Sequence, residues 1–120
     1  KNLRLFCDDA VDVLNKQIAN ESLDVINIFF PDPWPKKRHH KRRLISENFI
    51  SLIGSKLKPN GLVHVCTDWA DYAHDIHALF KSMEEFKSLE KLPRRIQTKF
   101  EKKGLALGHS IYEFAFRLLR

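Results

Sequence analysis

Short apolar runs along the chain alternate with segments in which apolar residues recur at helical spacing. Residues 3–7, 25–30 and 62–66 are apolar runs of strand length. The second run is rich in β-branched and aromatic residues, which is typical of a strand buried on both faces of a parallel sheet. We therefore predict three parallel strands, each followed by a helix.

The predicted helices start at residues that can cap them. Asp8-Asp9, Ser46-Glu47 and Asp68 precede the three helical patterns, and Lys58-Pro59-Asn60-Gly61 should end the second helix. The apolar stripes of the three helices are Val11, Leu14 and Ile18; Ile45, Phe49, Leu52, Ile53 and Leu57; and Trp69, Tyr72, Ala73, Ile76, Leu79 and Met83.

The last part of the chain changes to strict alternation. Apolar residues alternate with polar ones around residues 96–100 and again over 112–118, with Gly104 and Gly108 in the connection. This pattern predicts a terminal antiparallel hairpin. We expect an α/β sheet that is parallel at first and antiparallel at its end, with residues 1–120 forming a single domain.

Composition narrows the class of protein. The chain has 120 residues and 43% hydrophobic content, and no apolar stretch approaches the roughly 18 residues needed to span a membrane. We expect a soluble, cytoplasmic protein without a signal peptide or membrane partner. Cys7 and Cys66 lie far apart in apolar runs, which predicts buried thiols, no disulfide and no metal site.

The positive charge is concentrated in one segment. The chain carries 21 Lys and Arg against 15 Asp and Glu, and residues 36–43 contain six of the cations and no acid. This segment therefore accounts for the formal net charge of +6. A cationic loop beside Trp34 and an aspartate suggests a polyanion held over a reactive site; a solvated charged loop or a targeting patch is the alternative.

Three aspartates follow the three predicted parallel strands. Asp9, Asp32 and Asp68 should lie at the carboxyl edge of the sheet, where α/β folds bind ligands. Asp9 and Asp68 are also good helix caps, so a structural role stays open for both. Asp32 lies between Pro31 and Pro33, and this stiffness favours a functional role.

Four motifs resemble those of one enzyme family. Residues 29–44, which read FFPDPWPKKRHHKRRL, closely resemble the signature of bacterial tRNA (guanine-N7)-methyltransferases of the TrmB type. Asp8-Asp9-Ala10-Val11, Thr67-Asp68-Trp69 and Thr98-Lys99-Phe100-Glu101 resemble further motifs in the expected order. The resemblance implies a Rossmann-like methyltransferase sheet that uses S-adenosylmethionine to methylate N7 of a guanine in the variable loop of tRNA.

The resemblance also implies roles for individual residues. Asp9 and Asp32 would contact the cofactor, and Asp32 would be the catalytic residue. Trp34 would either stack on a base or pack within its turn. The implied substrate-binding residues are Lys36, Asp68, Thr98, Lys99, Phe100 and Glu101. The implied RNA-binding residues are Arg38, His39, His40, Lys41, Arg42 and Arg43.

Guanine N7 chemistry makes limited demands on such a site. The N7 lone pair is free to attack a methyl group, so no general base is required. The site must align the reacting atoms and stabilise the positive charge that moves onto the purine. Asp32 and Asp68 suit this task, and their carboxylates can also accept hydrogen bonds from the N1 and amino donors of guanine.

The chain departs from the family pattern at its start. The family's glycine-rich cofactor loop and ribose-binding acid are not present, so the chain resembles the carboxyl-terminal part of the fold with its first two strands missing. We expect those two strands to lie between the strands at residues 3–7 and 25–30. We also expect the chain alone to bind no cofactor and to associate with its amino-terminal part or with itself.

Two other functional classes stay open on the sequence. A non-catalytic RNA-binding module would explain the basic segment without the glycine-rich loop. A methyltransferase acting on an exocyclic amine of a nucleic acid would explain an Asp-Pro-aromatic turn at the end of a strand.

Overall fold

The computed structural model describes residues 2–5, 10–89 and 110–119. Four helices or helical turns and five strands lie in these ranges. The strands are β1 (Asn2–Leu5), β2 (Leu23–Phe29), β3 (Leu57–Thr67), β4 (Phe86–Ser88) and β5 (Tyr112–Leu118). The α-helices are α1 (Ala10–Gln17), α2 (Glu47–Lys56) and α3 (Ala70–Ser82), and a 3₁₀-helix spans Lys37–Arg42. None of the helices in these ranges has the length and apolar character to cross a membrane.

The five strands form one mixed sheet in the order β1-β2-β3-β5-β4. β1, β2 and β3 are parallel, and β5 runs antiparallel to both β3 and β4. The register places Ile26 beside Val63 and Val63 beside Phe116, so these three side chains share one face of the sheet. This topology confirms the predicted α/β sheet with a parallel start and an antiparallel end.

The expected position of the two missing strands is wrong. β1 pairs directly with β2, with Asn2 beside Val25 and Leu5 beside Ile28. The ladder between these two parallel strands is continuous, so it leaves no gap for two further strands. In this arrangement the two edges of the described sheet are the outer edges of β1 and β4.

The antiparallel end of the sheet differs in part from the prediction. The predicted last strand is confirmed as β5, whereas the strand predicted around residues 96–100 lies outside the described residues. β4, at the edge of the sheet, pairs Phe86 with Leu118. Sequence periodicity misses β4 because three residues are too few to establish an alternating pattern.

One hydrophobic core lies between the sheet and the helices. Ile26 and Ile28 of β2 pack in the same cluster as Ile50 and Ile53 of α2. Phe116 stacks on Phe80 of α3 with 4.1 Å between the ring centroids. Burying each of these side chains stabilises the fold by about 1.5–3 kcal/mol.

The helix starts are only partly as predicted. Ser46 caps α2, and its side chain accepts a hydrogen bond from the Phe49 N–H at 3.2 Å. The N-cap of α3 is Trp69 and not Asp68, and the Trp69 N–H donates a hydrogen bond of 3.2 Å to Thr67 Oγ1. Trp69 is consequently 40% exposed and does not belong to the core stripe, and Val11 of α1 is likewise 38% exposed.

The predicted break at residues 58–61 lies inside β3. The helix ends at Lys56, and the strand starts at Leu57, which pairs with Leu23. The register then shifts over an irregular stretch in which Asn60 has a φ of 66°. A Cβ on Gly61 would lie 2.9 Å from the Lys58 carbonyl oxygen and 2.8 Å from Leu57 Cδ2, so a larger residue there would force the backbone to shift. The predicted burial of Cys66 is confirmed, and Cys7 lies outside the described residues.

Candidate functional site

The carboxyl ends of β2 and β3 lie side by side. Phe29 pairs with Cys66, and the Phe30 N–H donates a hydrogen bond of 2.8 Å to the Cys66 carbonyl. The segment 31–35, here called the proline turn, follows β2, and the segment 67–69, here called the β3 turn, follows β3. Asp32 and Asp68 therefore reach the same sheet edge, as predicted, whereas Asp9 lies outside the described residues.

The proline turn has an unusual backbone. Phe30 and Trp34 have φ values of 54° and 41°, a left-handed conformation that aromatic residues rarely adopt. The Trp34 N–H donates to Asp32 Oδ1 at 3.0 Å, which closes the turn around the aspartate. Pro31 is buried and Asp32 is exposed. Such backbone conformations cluster at functional sites, and here they present a carboxylate to solvent.

The basic segment, residues 36–43, forms the 3₁₀-helix and its two flanking residues. The His39 N–H donates to the Lys36 carbonyl at 2.8 Å, and the Arg43 N–H donates to the His40 carbonyl at 3.0 Å. The cations divide by exposure, because Arg43 is buried and the others are not. The exposed cations are Lys36, Lys37, Arg38, Lys41 and Arg42, and the half-buried histidines are His39 and His40.

Trp34 is held between two side chains of the basic segment. The Arg42 guanidinium carbon lies 5.2 Å from the centroid of the indole ring, within cation–π range. The His39 ring meets the indole edge-on, with 5.7 Å between centroids. A cavity of about 460 Å³ opens beside the indole, lined by Val11, Trp34, Arg42, Arg43 and Leu44. Its volume is in the range that binds small ligands or a single base.

Arg43 has a different environment from the other cations. Its side chain is 3% exposed, and its Nε donates to the Pro33 carbonyl at 2.7 Å. Nη1 donates to Asp75 Oδ2 at 2.6 Å, and Nη2 donates to Asp71 Oδ2 at 2.8 Å. The guanidinium lies 4.7 Å above the Tyr72 ring. In this arrangement the Arg43 guanidinium faces α3, which does not fit the prediction that it binds RNA.

The groups around Arg43 have altered acidity. The hydrogen bond from Arg43 is the largest cause of the lowered pKa of Asp71. Burial is the main reason that the pKa of Tyr72 is raised to about 12; the hydrogen bond with Ile45 and the charge of Arg43 act against it, and the carboxylates of Asp75 and Asp32 act with it. The Tyr72 hydroxyl accepts a hydrogen bond from the Ile45 N–H at 3.1 Å. Tyr72 therefore stays protonated at neutral pH and links α3 to the segment after Arg43.

A second polar cluster lies on β3 and β5. His64 Nε2 is 2.6 Å from Glu113 Oε2, and among the described residues these two side chains and Cys66 are the group whose donor atoms could hold a metal, lying within 4.8 Å of one another. The short hydrogen bond already satisfies the buried imidazole. We assign no metal to this cluster.

The structure brings most of the described candidate residues to one place. Asp32, Asp68, Lys36 and residues 38–42 lie at or next to the carboxyl edge of β2 and β3. Thr98, Lys99, Phe100 and Glu101 lie outside the described residues. Sequence reasoning placed Tyr72 in the core and missed Asp71 and Asp75 as partners of Arg43. The one available signal was the spacing of Asp71 and Asp75, which are four residues apart on one helix face.

Comparison with curated proteins finds close relatives. The chain is 49% identical to a tRNA (guanine-N(7)-)-methyltransferase from Nitrosomonas eutropha, with 96% of this chain and 54% of that protein aligned. It is 45% identical to the protein of the same name from Nitrosococcus oceani, with 98% of this chain and 51% of that protein aligned. The chain thus spans about half the length of the curated relatives it matches.

Solved structures with the same fold are methyltransferases. A SAM-dependent O-methyltransferase from Thermotoga maritima superposes with a TM-score of 0.51 at 13% identity, covering 91% of this chain and 38% of that one. A tRNA (m1A58) methyltransferase from Aquifex aeolicus gives 0.50 at 11% identity, covering 88% of this chain and 39% of that one. At these identities the likeness shows the fold alone. Residues 1–114 match the family described as "Putative methyltransferase", and the chain belongs to that family.

Proposed function

We propose that the protein carrying this chain transfers a methyl group from S-adenosylmethionine to N7 of a guanine in tRNA. One juxtaposition carries the proposal. The proline turn presents the exposed Asp32 at the carboxyl edge of the sheet, directly before a segment with five exposed cations. The relatives that share 45–49% of the aligned residues are named for this reaction.

Asp32 has the chemistry that this reaction needs. The cofactor supplies a methyl group bound to a positively charged sulfur, and the positive charge moves to the purine as the methyl group is transferred. A fixed carboxylate beside this path stabilises the charge, and the backbone of the proline turn fixes Asp32 before substrate arrives. Asp32 has no proton to remove, because guanine N7 is already an acceptor.

Recognition of guanine can use the same edge of the sheet. Guanine presents N1 and amino donors, and the carboxylates of Asp32 and Asp68 are acceptors that follow neighbouring strands. Adenine presents a different pattern of donors and acceptors. This assignment gives Asp68 a role in substrate binding and leaves the reacting centre to Asp32.

The basic segment supplies contacts to the RNA backbone. Lys36, Arg38, Lys41 and Arg42 are exposed and can bind phosphates. Unstacking a base from folded tRNA costs a few kcal/mol, and these contacts would offset that cost. The indole of Trp34 lies beside a cavity of suitable size and can receive the unstacked base.

The residues at the edge fit a sulfonium cofactor in their chemistry. The exposed carboxylate of Asp32 suits a positively charged sulfur, and the cavity beside Trp34 is left to the base. Asp9 completes the proposed cofactor contacts, and Thr98, Lys99, Phe100 and Glu101 complete those to tRNA. We further propose that this part of the fold works with an amino-terminal part or a second copy, and that it acts in the cytoplasm.

The site of methylation can be mapped directly. The complete protein should convert a guanosine of a tRNA transcript to 7-methylguanosine when S-adenosylmethionine is present, as read by nucleoside mass spectrometry. A transcript with 7-deazaguanosine provides the matched control, because it lacks only the attacking nitrogen and should bind without being methylated. Methylation of the control transcript, or of an exocyclic amine, would rule out the proposed reaction.

A further inference from the structure

Arg43 is buried and hydrogen-bonded within the protein, whereas the other cations of the basic segment are exposed. Its Nε and both terminal nitrogens donate to acceptors of the protein, the Pro33 carbonyl and the carboxylates of Asp75 and Asp71. Its side chain is 3% exposed. Two carboxylates against one guanidinium leave this spot without excess positive charge. An RNA phosphate would have to displace existing bonds and approach two negative groups.

The Pro33 carbonyl is the point at which Arg43 acts on the site. Pro33 lies between Asp32 and Trp34, and the prolines of this turn have no N–H with which to hold it. The turn is held by hydrogen bonds to its other groups. His40 Nε2 lies 3.3 Å from the Pro35 carbonyl, and two shorter bonds hold the part around Asp32. Trp34 N–H bonds to the Asp32 carboxylate, and Arg43 Nε bonds to the carbonyl between these two residues.

The other end of Arg43 is anchored in the core. Asp71 and Asp75 lie one turn apart on α3, and the guanidinium covers the ring of Tyr72 between them. Tyr72 is completely buried, and its hydroxyl accepts from the Ile45 N–H. The position of the proline turn is thus tied to a helix whose own position is fixed by packing.

We propose that Arg43 is a positioning residue that holds the proline turn on α3, and that it contacts no RNA phosphate. Through the Pro33 carbonyl it sets the direction of the Asp32 carboxylate and the orientation of the Trp34 indole. The effect on catalysis rests on the proposed methyl transfer. The effect on the geometry of the turn does not.

Arg43→Ala in the complete protein separates positioning from RNA contact. Single-turnover methylation at saturating tRNA should fall by about tenfold to a hundredfold, because a small displacement of a reacting group has an effect of this size. The slope of log affinity against log salt should stay the same, whereas Lys41→Ala should make it shallower by about one unit. Lys16→Ala, on an exposed face of α1, is the neutral control.

Net charge needs its own control in the salt measurement. Arg43→Ala leaves Asp71 and Asp75 without their cation, which can weaken RNA binding at a distance. The double variant Arg43→Ala with Asp75→Asn leaves the net charge unchanged. A slope that falls by about one unit in this double variant would show that Arg43 contacts a phosphate and would overturn the proposal.

A readout without methyl transfer tests the geometry itself. With fluorotryptophan incorporated, the fluorine NMR signal of Trp34 can be assigned from its loss in Trp34→Phe. Arg43→Ala should shift and broaden this signal, and Lys41→Ala should not. An unchanged Trp34 signal would overturn the proposal even if the protein proved to catalyse another reaction.

If Arg43→Ala does not fold, two conservative variants can test the proposal in its place. Asp75→Asn keeps the shape of one anchor and removes its charge, so the Trp34 signal should move in the same direction by a smaller amount. Arg43→Lys keeps the charge but loses the planar fork that reaches both Pro33 and α3. Compared with Arg43→Ala, Arg43→Lys should recover more of the wild-type thermal stability than of the wild-type methylation rate. Full recovery of that rate would contradict the geometric role.

Discussion

The proline turn and the β3 turn occupy equivalent places on neighbouring strands but are held in different ways. Asp68 directly precedes Trp69 in the β3 turn, whereas Pro33 separates Asp32 from Trp34 in the proline turn. In the proline turn, Asp32 itself accepts the hydrogen bond that closes the turn. In the β3 turn the acceptor is Thr67, and Trp69 is 40% exposed at the start of α3.

The difference suggests that the two turns have different functions. The proline turn is restrained by its three prolines and by Arg43, and both Trp34 and the preceding Phe30 are left-handed, so the turn suits a group that must be fixed before the reaction. The β3 turn lacks these restraints and exposes its indole, so it suits contact with a large substrate. The rigid proline turn can position a reacting group, and the open β3 turn can bind the substrate next to it.

The comparison is tested most strongly by removing one carboxylate from each turn. Asp32→Asn keeps the shape of the side chain and the acceptor for Trp34, but it should lower the single-turnover rate by about a hundredfold or more with little loss of tRNA affinity. Asp68→Asn should instead weaken tRNA binding by about tenfold, as expected for one lost hydrogen bond to a substrate donor. Rates and affinities are measured side by side on both variants. Equal effects of the two variants on both quantities would remove the distinction between the turns.

The charge beside the proline turn gives the second test. Replacing Lys37, Arg38 and Lys41 with Ala removes three exposed cations, so the salt dependence of tRNA affinity should become shallower by about two to three units. Affinity is titrated at several salt concentrations to obtain the slope.

Trp69→Ala is the matched variant in the β3 turn. It can lower affinity, but it removes no charge and should leave that slope as it is. A slope that stays constant in the triple variant would show that these three side chains face solvent in the complex.

Tyr72 links α3 to Arg43 and Ile45, and its hydroxyl provides the third test. Tyr72→Phe leaves the buried Ile45 N–H without its acceptor, so the free energy of unfolding should fall by about 1–2 kcal/mol at neutral pH. Because burial raises the Tyr72 pKa to about 12, the folded protein keeps a proton that the unfolded chain loses near pH 10. The stabilisation is therefore fully present below pH 10 and is lost as the pH rises toward 12.

Urea unfolding of the wild type and of Tyr72→Phe at several pH values measures both effects. The wild type should lose stability more steeply than the variant above pH 10. A difference between the two proteins that is independent of pH would mean that Tyr72 does not retain its proton in the folded state.

The smallest expected effect lies at acid pH. The Arg43 hydrogen bond lowers the Asp71 pKa below 3.8, so this carboxylate contributes stability above its unfolded pKa that is lost as the pH falls through the folded one. Asp71 is exposed, which keeps the effect small. Asp71→Asn should flatten the loss of thermal stability below about pH 4, and an identical acid profile would show that the ion pair contributes nothing measurable.

Sequence reasoning succeeded where one local pattern determined the outcome. The buried strands, the Ser46 cap and the placement of Asp32 after a strand all follow from neighbouring residues. Burial of Arg43 does not, because its partners on α3 are 28 and 32 residues away and its neighbours are equally basic. The order of β1 and β2 was missed for a related reason: strand pairing depends on contacts between distant residues. The roles of Asp9, Thr98, Lys99, Phe100 and Glu101 stay predictions.

The 3₁₀-helix gives the basic segment a repeat of three, since residues three apart lie above one another in such a helix. His39 and Arg42 form the row that meets Trp34, while His40 and Arg43 form the row that meets α3. Arg38 and Lys41 form the third row, which is exposed. The order of the residues in this segment therefore determines which side chain meets Trp34, α3 or solvent, and the net charge of the segment does not. Exchanging Arg38 with His39 would preserve every charge but would move a cation from the exposed row into the row that meets Trp34.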